Sequence, residues 1–76
     1  MNAPEFHAGQ TVRHTFSGLR GVIYLVAPNC TVLRERATLY GVRWNQAIGC
    51  PEPTVYINEH DGRVQGHLAS DLVAVP

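Results

Sequence analysis

Apolar and polar residues along this chain change places every second position in several short runs, and no stretch longer than a turn or two carries the 3.6-residue period of a helix. The first run is Gln10 to Thr15, entered through Gly9 and left through Ser17-Gly18, with Val12 and His14 on one face. Gly21 to Ala27 (GVIYLVA) is the most apolar run and reads as a central strand that Pro28-Asn29 stops. The stretch from Asn29 to Arg36 alternates poorly and reads as a long connection. Ala37 to Trp44 alternates cleanly: Thr38, Tyr40, Val42 and Trp44 share one face, with Leu39, Gly41 and Arg43 on the other.

Residues 45–53 (NQAIGCPEP) hold Gly49, Pro51 and Pro53 and read as a loop. Thr54 to His60 and Arg63 to Leu68 then flank Asp61-Gly62, a pair suited to a two-residue type I′ hairpin turn. Ser70-Asp71 reads as one helical turn, and the following LVAV as a last strand. The pattern therefore predicts an all-β chain: a small SH3-like barrel of five to six short antiparallel strands with one helical turn before the last strand. A sandwich of the immunoglobulin kind needs about 100 residues.

Length narrows the picture. The 76 residues suit one domain, 1–76, with residues 1–5 expected to be flexible. A domain this short buries only about 60–65% of the surface of its unfolded chain, so its margin of stability is small and self-association into a homo-oligomer is expected. Phe6, Phe16, Tyr24, Tyr40, Trp44 and Tyr56 are the bulky side chains available to the core. No run approaches the roughly 20 apolar residues of a membrane span. The start, MNAPEFHAGQ, lacks the pattern of a signal peptide, so a cytoplasmic location and no membrane partner are expected. Cys30 and Cys50 stand outside any tight motif and read as free thiols.

Formal net charge is zero, but its distribution is uneven. Between residues 13 and 43, Arg13, Arg20, Arg34, Arg36 and Arg43 face only Glu35, whereas from residue 44 onward Arg63 stands against Glu52, Glu59, Asp61 and Asp71. Every cation is an arginine, the better bidentate partner for phosphate and carboxylate.

Phe6-x-x-Gly9-Gln10-x-Val12-Arg13-His14, then Gly18-Leu19-x-Gly21-Val22-Ile23 and Ala27-Pro28, resemble the opening of the YccV-like, hemimethylated-DNA-binding family that includes the heat-shock protein HspQ. Tyr40-x-Val42-x-Trp44 is similar to that family's Tyr-His-Val strand, with Gly41 in place of the histidine. His67-Leu68-Ala69-Ser70-Asp71-Leu72 is similar to its closing segment. The resemblance covers residues 6–28 and two shorter pieces. It implies an SH3-like barrel, self-association, binding to DNA and, in the heat-shock member, an adaptor role that presents substrates to a protease. A weaker likeness is to tudor-like and KOW barrels.

Phosphate binding needs several cations on one surface, which makes Arg13, Arg20, Arg34, Arg36 and Arg43 the candidate nucleic-acid-binding residues. Trp44 and Tyr56 are the candidate partner-binding aromatics, suited to a stacking platform or a peptide groove and to a protein-interaction adaptor. His7, His14, His60, His67, Cys30 and Cys50 show no ligand spacing, so no metal site is expected, and His14 reads as packing beside the first turn with a backbone hydrogen bond. No nucleophile or carboxylate pair has a supporting motif, and the chain is read as a non-enzyme without a cofactor. The alternative is Val64-Gln65-Gly66-His67, which resembles the Val-Gln-Ile-Tyr stretch of the plasmid-encoded dihydrofolate reductases. That likeness implies an NADPH-dependent reductase, with Gly66 and His67 replacing the residues that line the pore there.

Overall fold

The computed structural model describes residues 5–46, 48–58 and 62–76, with the side chains of residues 57 and 58 left aside. Six strands follow one another: β1 (Thr11–His14), β2 (Arg20–Val32), β3 (Glu35–Trp44), β4 (Thr54–Asn58), β5 (Gly62–Leu68) and β6 (Leu72–Ala74). A 3₁₀ turn, Ala69–Asp71, precedes the last strand. All pairings are antiparallel, and β6–β1–β2–β3–β5 is the strand path expected of an SH3-like barrel. The additional strand β4 pairs with β5 and with the far end of β2, so β2, β3, β5 and β4 close a ring. Of residues 1–5, expected to be flexible, only Glu5 is among those described.

The central hairpin departs from the sequence expectation. β2 does not stop at Pro28-Asn29 but continues to Val32, and the stretch from Asn29 to Arg36, read as a connection, is strand on both sides of a two-residue turn. That turn is Leu33-Arg34, with φ of 47° and 70°. Positive φ at both central positions gives the backbone twist that joins two antiparallel strands. Neither residue belongs to the Gly/Asn type that signals such a turn, and so the hairpin is hidden in the sequence.

Pro28 is tolerated because β2 is bulged there. Ala27 pairs with Leu39 but Cys30 with Ala37, so Pro28 and Asn29 together oppose Thr38 alone. A bulge leaves a residue out of the ladder, which suits a proline without an N–H. A second irregularity places Tyr24 between the pairs Ile23–Val42 and Leu25–Gly41. The Asp61-Gly62 hairpin also differs in detail. Asn58 pairs with Gly62, which places Gly62, at φ 85°, in β5 and leaves residues 59–61, Asp61 among them, outside the described residues.

Two apolar clusters result. Phe6, Val12, Ile23, Tyr40 and Leu72 form one, with Val26, Val42, Trp44 and Ala69 packed against it. Ala27, Cys30, Leu39 and Val64 form the other, beneath Tyr56 and Leu68. Leu39 and Tyr40, consecutive on β3 and pointing to opposite faces, anchor one cluster each. Tyr40 also holds the segment before β1: its ring meets Phe6 edge-on at 5.2 Å, and its hydroxyl accepts the Glu5 N–H at 2.9 Å. Two aromatics expected in the core lie outside it, since Phe16 is 88% and Tyr24 56% exposed. Cys30 is buried, its thiol donating to the Ala27 carbonyl at 3.5 Å, and Cys50 is half-buried; neither forms a disulfide.

Candidate functional site

The five arginines fall into two groups. On the outer face of β1, β2 and β3, Arg13 pairs directly with Arg20, and Val22 pairs with Thr11 on one side and Arg43 on the other. Val12, His14, Gly21 and Ile23 point inward, so Arg13, Arg20 and Arg43 point outward, and all three are exposed. Arg20 lies two residues from Val22, which makes it a diagonal neighbour of Arg43 at roughly 7–8 Å. Exposed Val22 and Val73 lie among them. Arg34 is at the hairpin turn and Arg36 pairs with Thr31, some seven residues along β3 from Arg43, roughly 23 Å at the usual strand rise. The folded sheet therefore assembles three of the five candidates and sends two to the opposite end.

The Arg13–Arg20 pairing has a definite geometry. His14 N–H donates to the Leu19 carbonyl at 2.8 Å, so residues 14 and 19 form a hydrogen-bonded pair. Arg13 and Arg20 then occupy the neighbouring non-hydrogen-bonded position, where Cα atoms are about 4.5 Å apart and side chains closest. The two arginine side chains therefore leave directly opposed backbone positions at the mouth of the β1–β2 turn.

That turn is built on His14. Its buried ring accepts, at Nδ1, the backbone N–H groups of Phe16 at 3.3 Å and Ser17 at 3.1 Å. Backbone N–H groups only donate, so Nδ1 is the unprotonated nitrogen. The backbone hydrogen bonding expected of His14 is thus present. The ring packs edge-on against Trp44 at 5.8 Å and His67 at 5.9 Å, and Trp44 meets His67 at 5.3 Å. His67, only 4% exposed, has its pKa lowered chiefly by burial and further by the neighbouring His14 charge, with Asp71 pulling weakly the other way. No group of three or more His, Cys, Asp or Glu residues suited to a metal converges among the described residues, and His60 lies outside them.

Beside this trio the sheet opens. β3 pairs with β5 only at Leu39–Leu68 and Tyr40–His67, and the two strands then part. The crevice between them, about 260 Å³, has Gly41, Val42 and Trp44 on one side and Gln65, Gly66 and His67 on the other. Cys50, Pro51 and Pro53 of the connecting loop cross it, and Tyr24 stands at its edge. Gly41 makes that placement possible, because a Cβ there would meet the Tyr24 ring at 2.9 Å. The Arg43 guanidinium lies 5.5 Å from the Tyr24 ring centroid, a cation–π contact that joins the arginine face to the crevice. Tyr56 is elsewhere, in a separate open pocket of about 460 Å³ with Thr31, Val55 and Arg63. Sequence reading singles out Trp44 and the three arginines and counts Tyr24 only among the aromatics available for packing or stacking, because its position depends on the β2 irregularity and on Gly41 opposite. No family model, no curated protein and no solved structure matches the chain. Among the described residues no helix is long and apolar enough to cross a membrane.

Proposed function

We propose that this chain is a non-catalytic binding module whose outer β1–β2–β3 face takes a nucleic acid by its phosphates. The observation that carries this reading is the direct cross-strand placement of Arg13 against Arg20, with Arg43 as their diagonal neighbour. Like charges directly opposite on a sheet are destabilising. A phosphate between the two guanidinium groups turns that repulsion into two charge-assisted contacts, and each neutralised phosphate releases counterions. The likeness to the hemimethylated-DNA-binding family, over residues 6–28, includes Arg13 in its Val-Arg-His step, while Arg20 stands at a position that the motif leaves open.

A salt-titrated binding assay with labelled oligonucleotides tests it. Wild type binds at low salt, and Arg13→Ala with Arg20→Ala removes most of the affinity and lowers the salt slope by about two. Arg34→Ala with Arg36→Ala changes little. Absence of binding at low salt, or binding that survives loss of the Arg13–Arg20 pair, overturns the reading. A second reading, a protein adaptor, draws on the hairpin turn, where Leu33 is 93% exposed beside Arg34. Co-purification that depends on Leu33 and not on Arg13 or Arg20 favours it.

A further inference from the structure

The crevice between β3 and β5 has the surfaces that a flat ring requires. Trp44 and Tyr24 supply aromatic surface, and Pro51 and Pro53 supply apolar ring surface from the loop. Gln65, at the other wall, carries an amide that both donates and accepts, the combination that matches the edge of a heterocyclic base. The volume, about 260 Å³, falls just below the roughly 300–1,000 Å³ of pockets for drug-sized ligands. It has room for one base, and a base seated there is out of the stack of a duplex.

Tyr24 lines this crevice and also carries the Arg43 guanidinium at 5.5 Å, so the cationic face begins where the crevice ends. A ligand with a flat neutral ring joined to an anionic backbone spans both. We infer that the crevice receives one unpaired base of the strand whose phosphates lie on Arg13, Arg20 and Arg43, which makes single-stranded or locally unpaired nucleic acid the ligand. This inference rests on the phosphate-binding reading above and adds a second, separable contact to it.

Trp44 is the sole tryptophan of the chain and reports on the crevice directly. The full chain is titrated with a single-stranded oligonucleotide, with an abasic strand of the same length and charge, and with the corresponding duplex, following anisotropy and Trp44 emission. The base-bearing single strand binds about tenfold tighter than the abasic one and alone changes Trp44 emission, as stacking of one base on an aromatic side chain gives. Tyr24→Leu and, independently, Gln65→Ala narrow the difference between the two single strands while abasic binding persists. Tyr24 and Gln65 are both exposed, so each variant keeps the packed clusters. Equal affinity for base-bearing and abasic strands with unchanged emission, or tighter binding of the duplex, overturns the base site and leaves the phosphate face standing. Failure of all strands to bind at low salt overturns both.

Discussion

Arg13 stands directly across the β1–β2 ladder from Arg20, in the non-hydrogen-bonded register that brings opposed side chains closest. A folded chain without ligand bears this repulsion, so affinity and stability are set against each other at one pair of residues. Arg13→Thr is expected to raise stability by about 0.5 kcal/mol at low ionic strength, an effect that salt erases, while weakening oligonucleotide binding. Urea unfolding at two salt concentrations checks the first half and the binding titration the second. A destabilised variant at low salt contradicts the account.

Burial of His67 makes stability dependent on pH. The His67 pKa is lowered in the folded state, so just below its usual value near 6.5 the unfolded chain binds more protons than the folded one. Stability is therefore complete above about pH 6.5 and declines as pH falls below it. The urea midpoint is expected to fall between pH 7.5 and pH 5.5, and His67→Phe to flatten that fall. An unchanged midpoint speaks against it.

Tyr40 ties the segment before β1 to the first cluster through its hydroxyl. Tyr40→Phe keeps the ring contact with Phe6 and loses the acceptor, at a cost of about 1 kcal/mol. Tyr40→Ala also empties the centre of the cluster and costs about 3–5 kcal/mol. Thermal unfolding separates the two, and equal effects would refute the division of labour between hydroxyl and ring.

The Leu33-Arg34 turn holds two side chains at positive φ, where Cβ crowds the backbone. Leu33→Asn with Arg34→Gly supplies the residues that this turn type favours and is expected to stabilise the chain by about 1 kcal/mol. A lower melting temperature in the double variant would contradict it.

How far the sequence discloses this molecule follows from which residues act locally. The alternation around Val12-Arg13-His14 and from Ala37 to Trp44 announces β1 and β3, and Gly62 and Ser70-Asp71 mark the later hairpin and the 3₁₀ turn, because strand faces and turns are set by near neighbours. Pro28 misleads, since a bulge accommodates it, and Leu33-Arg34 misleads, since their positive φ is imposed by the strands they join. Arg13 and Arg43 are visible as charges, yet their distance from Arg34 and Arg36 is a property of the ladder. The crevice is invisible in one dimension: it exists because two strands part after Tyr40 and a loop with two prolines crosses the gap.

The two clusters adjoin at three peptide units, Val26-Ala27, Leu39-Tyr40 and Leu68-Ala69. A chain so divided need not breathe as one body. The distal end of the β2–β3 hairpin rests on the smaller cluster and is free to open in sub-global fluctuations, while the arginine face, seated on Val12, Ile23 and Tyr40, keeps its shape. Amide protection would then come in two tiers, with the boundary in mid-strand.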